Sequence, residues 1–257
     1  MAEETESQRL RSRGTAYYKQ AVALSPEDAN RVKLLEMARK LYGRALEAGT
    51  ELEDIASAHK NIAAAVSAQI YSSETEDVLA LYCESLDHRC QCLVLGSDGN
   101  KSEEWLDTVE SSIHDCMHNM LDAAFEQLTA DLKQICPVLR ILHKALSVIP
   151  DTEPGIKLQF TCEMVESMCE VAEDAICPGS AESDWRSCLY VLAEMKRPLL
   201  EGLQLAVESE AQEEVQSLLE LEDKMFAIQC RCESAQVLGI SHIKSFLRLC
   251  LSATSLT

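Results

Sequence analysis

The sequence predicts an all-α protein, a stack of antiparallel helical hairpins with nine or ten helices. Composition is the first reason: Leu, Ala and Glu dominate, and only nine Gly and six Pro punctuate 257 residues. Those three residues lose little rotamer freedom in a helix. Aromatics are 5%, few for a sheet protein, whose strands favour Val, Ile, Tyr and Phe. The second reason is periodicity: apolar residues recur at alternating three- and four-residue spacing, with no alternating strand pattern of useful length. A hydrophobic fraction of 47% is ample for a core.

Four helices are expected first, at roughly 5–24, 27–48, 51–72 and 74–95. Ser25-Pro26-Glu27-Asp28 reads as a helix start, a capping hydroxyl followed by Pro at the first helical position. Thr50-x-x-Glu53 and Ser73-x-x-Glu76 fit the capping box. Gly49 and Gly96 sit where helices should end, and the short connections make neighbours antiparallel.

The run Gly96 to Lys101 reads as a loop, after which Ser102 caps a long helix. Its stripe is Leu106, Val109, Ile113, Cys116, Met120 and Ala123, and Pro137 is expected to end or kink it. Further breaks are expected at Pro150 to Gly155 and at Pro178-Gly179. Leu158, Cys162, Val165, Cys169, Ala172 and Ile176 form a second stripe. Trp185, Cys188, Leu192, Met195 and Leu199 form a third, with Pro198 implying a bend. An acidic helix at about 210–238 should turn Val215, Leu218, Leu219, Met225, Phe226 and Cys230 inward. Gly239 should break it before a short apolar helix, Ile240 to Leu251, that either caps the stack or serves as a partner-binding or dimerisation segment.

The net charge of −20 is uneven: +2 over residues 1–50, −13 over 51–136 and −9 over 137–257. An acidic bulk opposes nucleic-acid and anionic-membrane binding, which need clustered Lys and Arg. The first thirty residues show no secretory pattern, and no stretch approaches the length that spans a bilayer. Twelve Cys in such a chain point to a reducing compartment, so a cytoplasmic or nuclear protein is expected.

Gly14-Thr15-Ala16-Tyr17-Tyr18-Lys19 resembles the first helix of a tetratricopeptide repeat, and Ala38 to Leu46 resembles the second. His59 to Ala65 would begin the next repeat, and Leu79 to Leu86, with Tyr82 inside it, would be its second helix. Ala38 to Ala45 also suits the second helix of a microtubule-interacting-and-transport hairpin. Gly14 to Asn61 spans more than one standard repeat, and no period is found beyond residue 95. The resemblance thus divides the chain into tetratricopeptide-like hairpins at 1–95 and an acidic helical continuation at 102–257, packed on the first part as one contiguous domain. It implies a right-handed stack, either a solenoid or a multi-helix bundle.

It also implies a protein-interaction adaptor or scaffold. A partner segment would lie on the concave surface lined by Arg11, Thr15, Tyr18, Lys60 and Asn61. Some such repeats grip a C-terminal carboxylate; Arg11 and Asn61 match that pattern, but Thr15 stands where it has Asn. Lys33, Lys40 and Arg44 fall near one side of the second helix. They form either a cationic strip for an acidic partner segment or intramolecular ion pairs. The alternative function is a structural subunit of a larger complex.

No enzyme, cofactor or metal is expected. No G-x-S-x-G elbow, cysteine-protease signature or phosphate-cradling loop occurs. His88-x-Cys90-x-Cys92 and Cys230-x-Cys232 place donors on divergent sides of a helix, so the thiols read as small core residues. His114 and His118 are one turn apart, a spacing that can hold a metal. With no further motif around them, they read as a solvated or half-buried pair flanking the stripe.

Overall fold

The computed structural model describes residues 4–72, 77–128, 134–149, 154–176 and 182–254. The protein is all-α, with nine helices and no strand among the described residues. They are α1 (Glu6–Val22), α2 (Ala29–Ala48), α3 (Leu52–Ile70), α4 (Val78–Asp98), α5 (Glu103–Leu128), α6 (Ile135–Leu146), α7 (Pro154–Ala175), α8 (Glu182–Glu208) and α9 (Gln212–Thr254). The chain divides into two compact units, one of residues 1–124 and 141–151, the other of 125–140 and 152–257. None of the helices, over the described residues, is long and apolar enough to cross a membrane.

In the first unit, α1 and α2 pair, as do α3 and α4, and α2 packs on α3. Gly14 makes the first pairing close: a Cβ there would lie 2.6 Å from the Tyr42 ring. Tyr42, Ala38, Ile62, Ala65 and Val66 then form one cluster across α2 and α3, with Tyr17 and Tyr18 against it. Five buried alanines on α3, from Ala56 to Ala68, let its neighbours approach. Polar bonds tie the helices in register. The Ser7 hydroxyl donates to the Ala45 carbonyl at 2.9 Å. The buried Arg31 donates to the Leu24 and Ala68 carbonyls at 3.0 and 3.3 Å, placing a cation near the negative end of α3. Arg89 donates to Ser67 and Ser85, and those two hydroxyls meet at 2.9 Å.

In the second unit, α7, α8 and α9 pack pairwise as a three-helix bundle. Its core holds Phe160, Met164, Val165, Met168 and Cys169 of α7, Cys188, Leu192, Met195 and Leu199 of α8, and Leu218, Met225, Ile228 and Cys232 of α9. Gly202 lets α8 approach α7, since a Cβ there would meet the Thr161 methyl at 3.0 Å. Glu173 of α7 pairs with Lys224 and Arg231 of α9 at 3.7 and 2.8 Å.

Several boundaries differ from expectation. The first helix begins with a capping box that the four-helix reading passed over: Thr5 accepts from the Gln8 N–H, and Gln8 returns the bond, both at 3.1 Å. Asp28, not Ser25, caps α2, and Pro26 lies in the preceding turn. Glu51 precedes α3 with no side-chain cap, so the Thr50 box is not formed. Asp77 caps α4; the Ser73 box lies outside the described residues. Gly49 does close α2, but in an extended conformation. Gly96 does not end a helix. It lies inside α4 because Trp105 packs on it, 2.4 Å from where a Cβ would stand. The left-handed residue at that end is Asn100, with φ 56°.

Pro137 does not end the long helix either, for α5 stops at Leu128. Pro137 sits in the first turn of α6, where its missing N–H has no intrahelical acceptor to lose. The breaks at Pro178-Gly179 and across residues 150–153 lie outside the described residues. α8 runs on through Pro198. α9 continues through Gly239 to Thr254 rather than breaking into a separate capping helix, since an interior Gly costs only about 1 kcal/mol. Its buried face is Leu218, Leu221, Met225, Ile228 and Cys232. Leu219, Phe226 and Cys230 are therefore exposed, because adjacent residues on a helix cannot share a narrow face.

Candidate functional site

The partner-binding residues read from the sequence divide into three places. Arg11, Thr15 and Asn61 come together. With Glu4, Gln8 and Ser12 they line an open cleft of about 520 Å³ built by α1 and α3, the first helices of the two hairpins. Within it Arg11 is half-buried and ion-paired with Asp54 of α3. Thr15 accepts a hydrogen bond from the Tyr42 hydroxyl at 3.2 Å. Burial pushes the Tyr42 phenol above its ordinary range, so it remains a proton donor to Thr15.

Tyr18 is half-buried against the α2–α3 core. Lys60 is drawn to another aromatic: its Nζ stands 4.9 Å from the Trp105 ring centre, and Lys101 stands 5.5 Å from the same ring. Lys40 and Arg44 are exposed, one turn apart on α2, with no ion pair among the described residues. Their neighbour Arg39 is engaged, bonded to Gln69 at 2.7 Å and paired with Glu84.

Most of the described thiols lie in or beside the core, whereas Cys230, read as inward from the sequence, is exposed. Cys92, Cys116, Cys136, Cys169, Cys188 and Cys232 are buried. Burial pushes Cys90 and Cys92 up to about 12 and Cys162 and Cys169 up to about 11, so these four stay protonated and weakly nucleophilic at neutral pH. Cys177 and Cys250 lie outside the residues whose side chains are described. Among the described residues no three His, Cys, Asp or Glu side chains gather closely enough to enclose an ion.

Two features escape sequence reading because they depend on how packed helices align, which the spacing within one helix does not carry. His59 of α3 and His88 of α4 meet Nδ1 to Nδ1 at 2.8 Å. Burial, reinforced by the neighbouring His88, lowers His59 to about 4, against the pull of Asp87. Burial also lowers His88, opposed by Glu84 and Asp87. A smaller pocket of about 180 Å³ lies between Cys83, Leu86, Asp87 and Cys90 of α4 and Ile141, Lys144, Ala145 and Val148 at the end of α6. Nothing in the local spacing of either helix announces this pairing.

No protein-family model matches the chain, and no curated protein is similar to it at a meaningful level.

Proposed function

We propose that the protein is an interaction adaptor whose first unit holds a segment of a protein partner in the cleft between α1 and α3. The observation that carries this reading is the convergence of Arg11, Thr15 and Asn61 with Gln8 and Ser12 on one open, hydrogen-bonding surface. The residues came from two separate stretches that resemble the first helices of successive tetratricopeptide repeats, and α1 and α3 lie side by side as that likeness requires. Gly14 against Tyr42 is the kind of small-on-large contact that interlocks such a pair. Because Asp54 already engages the Arg11 guanidinium, the cleft suits a polar extended segment better than a bare carboxylate. Lys40 and Arg44, exposed and unpaired, supply a second contact for an acidic stretch of the partner.

The test is a photo-crosslinking residue placed at Ser12, inside the cleft, and separately at Glu27, in the α1–α2 connection. Discrete protein adducts from Ser12 alone, abolished when Asn61→Trp fills the cleft, are expected. Equal adducts from both positions, or none from either, would remove the reading. A Lys40→Glu/Arg44→Glu protein that keeps every adduct would remove only the acidic-segment contact.

A second reading, a structural subunit of a larger complex, is favoured by one observation in the second unit. Tyr190, Leu200, Val207 and Phe226 are large apolar side chains each exposed by 59–65%. Sedimentation separates the two. An adaptor stays monodisperse alone, whereas an orphan subunit self-associates until Leu200→Glu and Phe226→Glu are introduced.

A further inference from the structure

Four of the six histidines stand in two nitrogen-to-nitrogen pairs, and the pairs differ in kind. His59 and His88 meet at 2.8 Å with ring centres 5.0 Å apart. His114 and His118 of α5 meet at 2.9 Å, slightly farther, yet their ring centres are only 4.2 Å apart. For a given nitrogen separation the ring centres are farthest apart when the rings point head-on. The first pair is thus an end-to-end contact of the N–H···N type. In the second the rings are inclined, and both Nε2 atoms are borne on the same side of one helix by their four-residue spacing.

We propose that His114 and His118 form a two-imidazole chelate for a tetragonal divalent transition-metal ion, Ni²⁺ or Cu²⁺. Two nitrogens each about 2.0–2.1 Å from one ion, at right angles, are about 2.9 Å apart, which is the separation of these two Nε2 atoms. Tetrahedral ligands at the same bond length stand wider, so the geometry favours the tetragonal ions over zinc. Both rings are half-buried, and packing limits their rotation. Glu110 and Asp122 continue the row one turn to either side, and Asp115 lies between the histidines in sequence, so the helix carries a local negative potential that attracts a cation. Among the described residues no third protein donor completes the set. Sequence spacing permits this site; the inclination of the rings is what distinguishes it from the head-on pair.

The test is calorimetric titration of Ni²⁺ into the full-length, reduced chain. A single binding event per chain is expected, weakened about tenfold or more by His118→Ala and by His114→Ala and unchanged by His59→Ala. Circular dichroism checks that each variant remains helical, and His118→Gln serves should His118→Ala lose helix. An event that survives both α5 substitutions places the ion on the thiols and overturns the proposal. The absence of any event overturns it as well.

Discussion

The first two hairpins and the α7–α9 bundle bury their helix faces by different means. Between α1 and α4, small residues bring backbones close, and charged or hydroxyl side chains then reach across to named partners. Arg31 finds two carbonyls, Arg39 finds Gln69 and Glu84, and Ser67, Ser85 and Arg89 close a network. Each bond fits one register only, because a slip of one residue would leave a buried polar group unmatched. The bundle instead fills its centre with Met164, Met168, Met195, Met225 and three thiols. Flexible thioether side chains tolerate small shifts, so packing there is less specifying. One region is held by matched polar partners, the other by adaptable volume.

The comparison is broken most severely at the few rigid side chains. Phe160→Ala, which empties a fully buried site in the Met-rich core, should cost about 3–5 kcal/mol in chemical denaturation. A much smaller loss would show that the neighbouring methionines collapse into the space. Gly14→Val should cost about 1–3 kcal/mol or more, because the added carbons meet the Tyr42 ring. Arg31→Met keeps the aliphatic stem but strands two carbonyls, and about 1–3 kcal/mol should be lost from the same measurement.

Acid acts on the first unit through His59 and His88. Both imidazoles titrate lower folded than unfolded, so the unfolded chain binds protons more readily below the ordinary histidine value of about 6.5. This contribution to stability is intact above that value and falls as pH drops toward about 4. His59→Asn should flatten that part of the stability–pH curve relative to the parent, and an unchanged slope would assign the acid sensitivity to carboxylates alone. The smallest effect is expected from Lys40→Glu/Arg44→Glu, within about 0.5 kcal/mol, as neither side chain has a partner to lose.

Helix faces were legible because burial at three- and four-residue spacing leaves a direct trace. Val109, Ile113, Cys116 and Met120, or Cys188, Leu192, Met195 and Leu199, are buried as their spacing requires. Capping and breaking signals were less faithful, since a tertiary contact or the small cost of an interior Gly can outweigh them. Gly96 reads as a stop, yet serves the approach of Trp105, and Gly239 leaves α9 intact. The inward face of α9 was misread where apolar residues stand next to each other, as Leu218 and Leu219 do. Of the cleft residues, Arg11, Thr15 and Asn61 could be named from a repeat-like pattern, whereas Glu4, Gln8 and Ser12 were not. The ion pair that occupies Arg11, the capture of Lys60 by Trp105 and the meeting of His59 with His88 depend on the axial and rotational register between packed helices. A single chain's local spacing does not encode that register.

The two tryptophans give the molecule built-in optical reporters. Trp105 lies in the first unit beneath two ammonium groups, and Trp185 lies in the second with its indole N–H buried and unpartnered among the described residues. Such dissimilar surroundings separate their emission. Replacing either one by Phe leaves a protein whose remaining fluorescence follows the melting of one unit alone, without any attached dye.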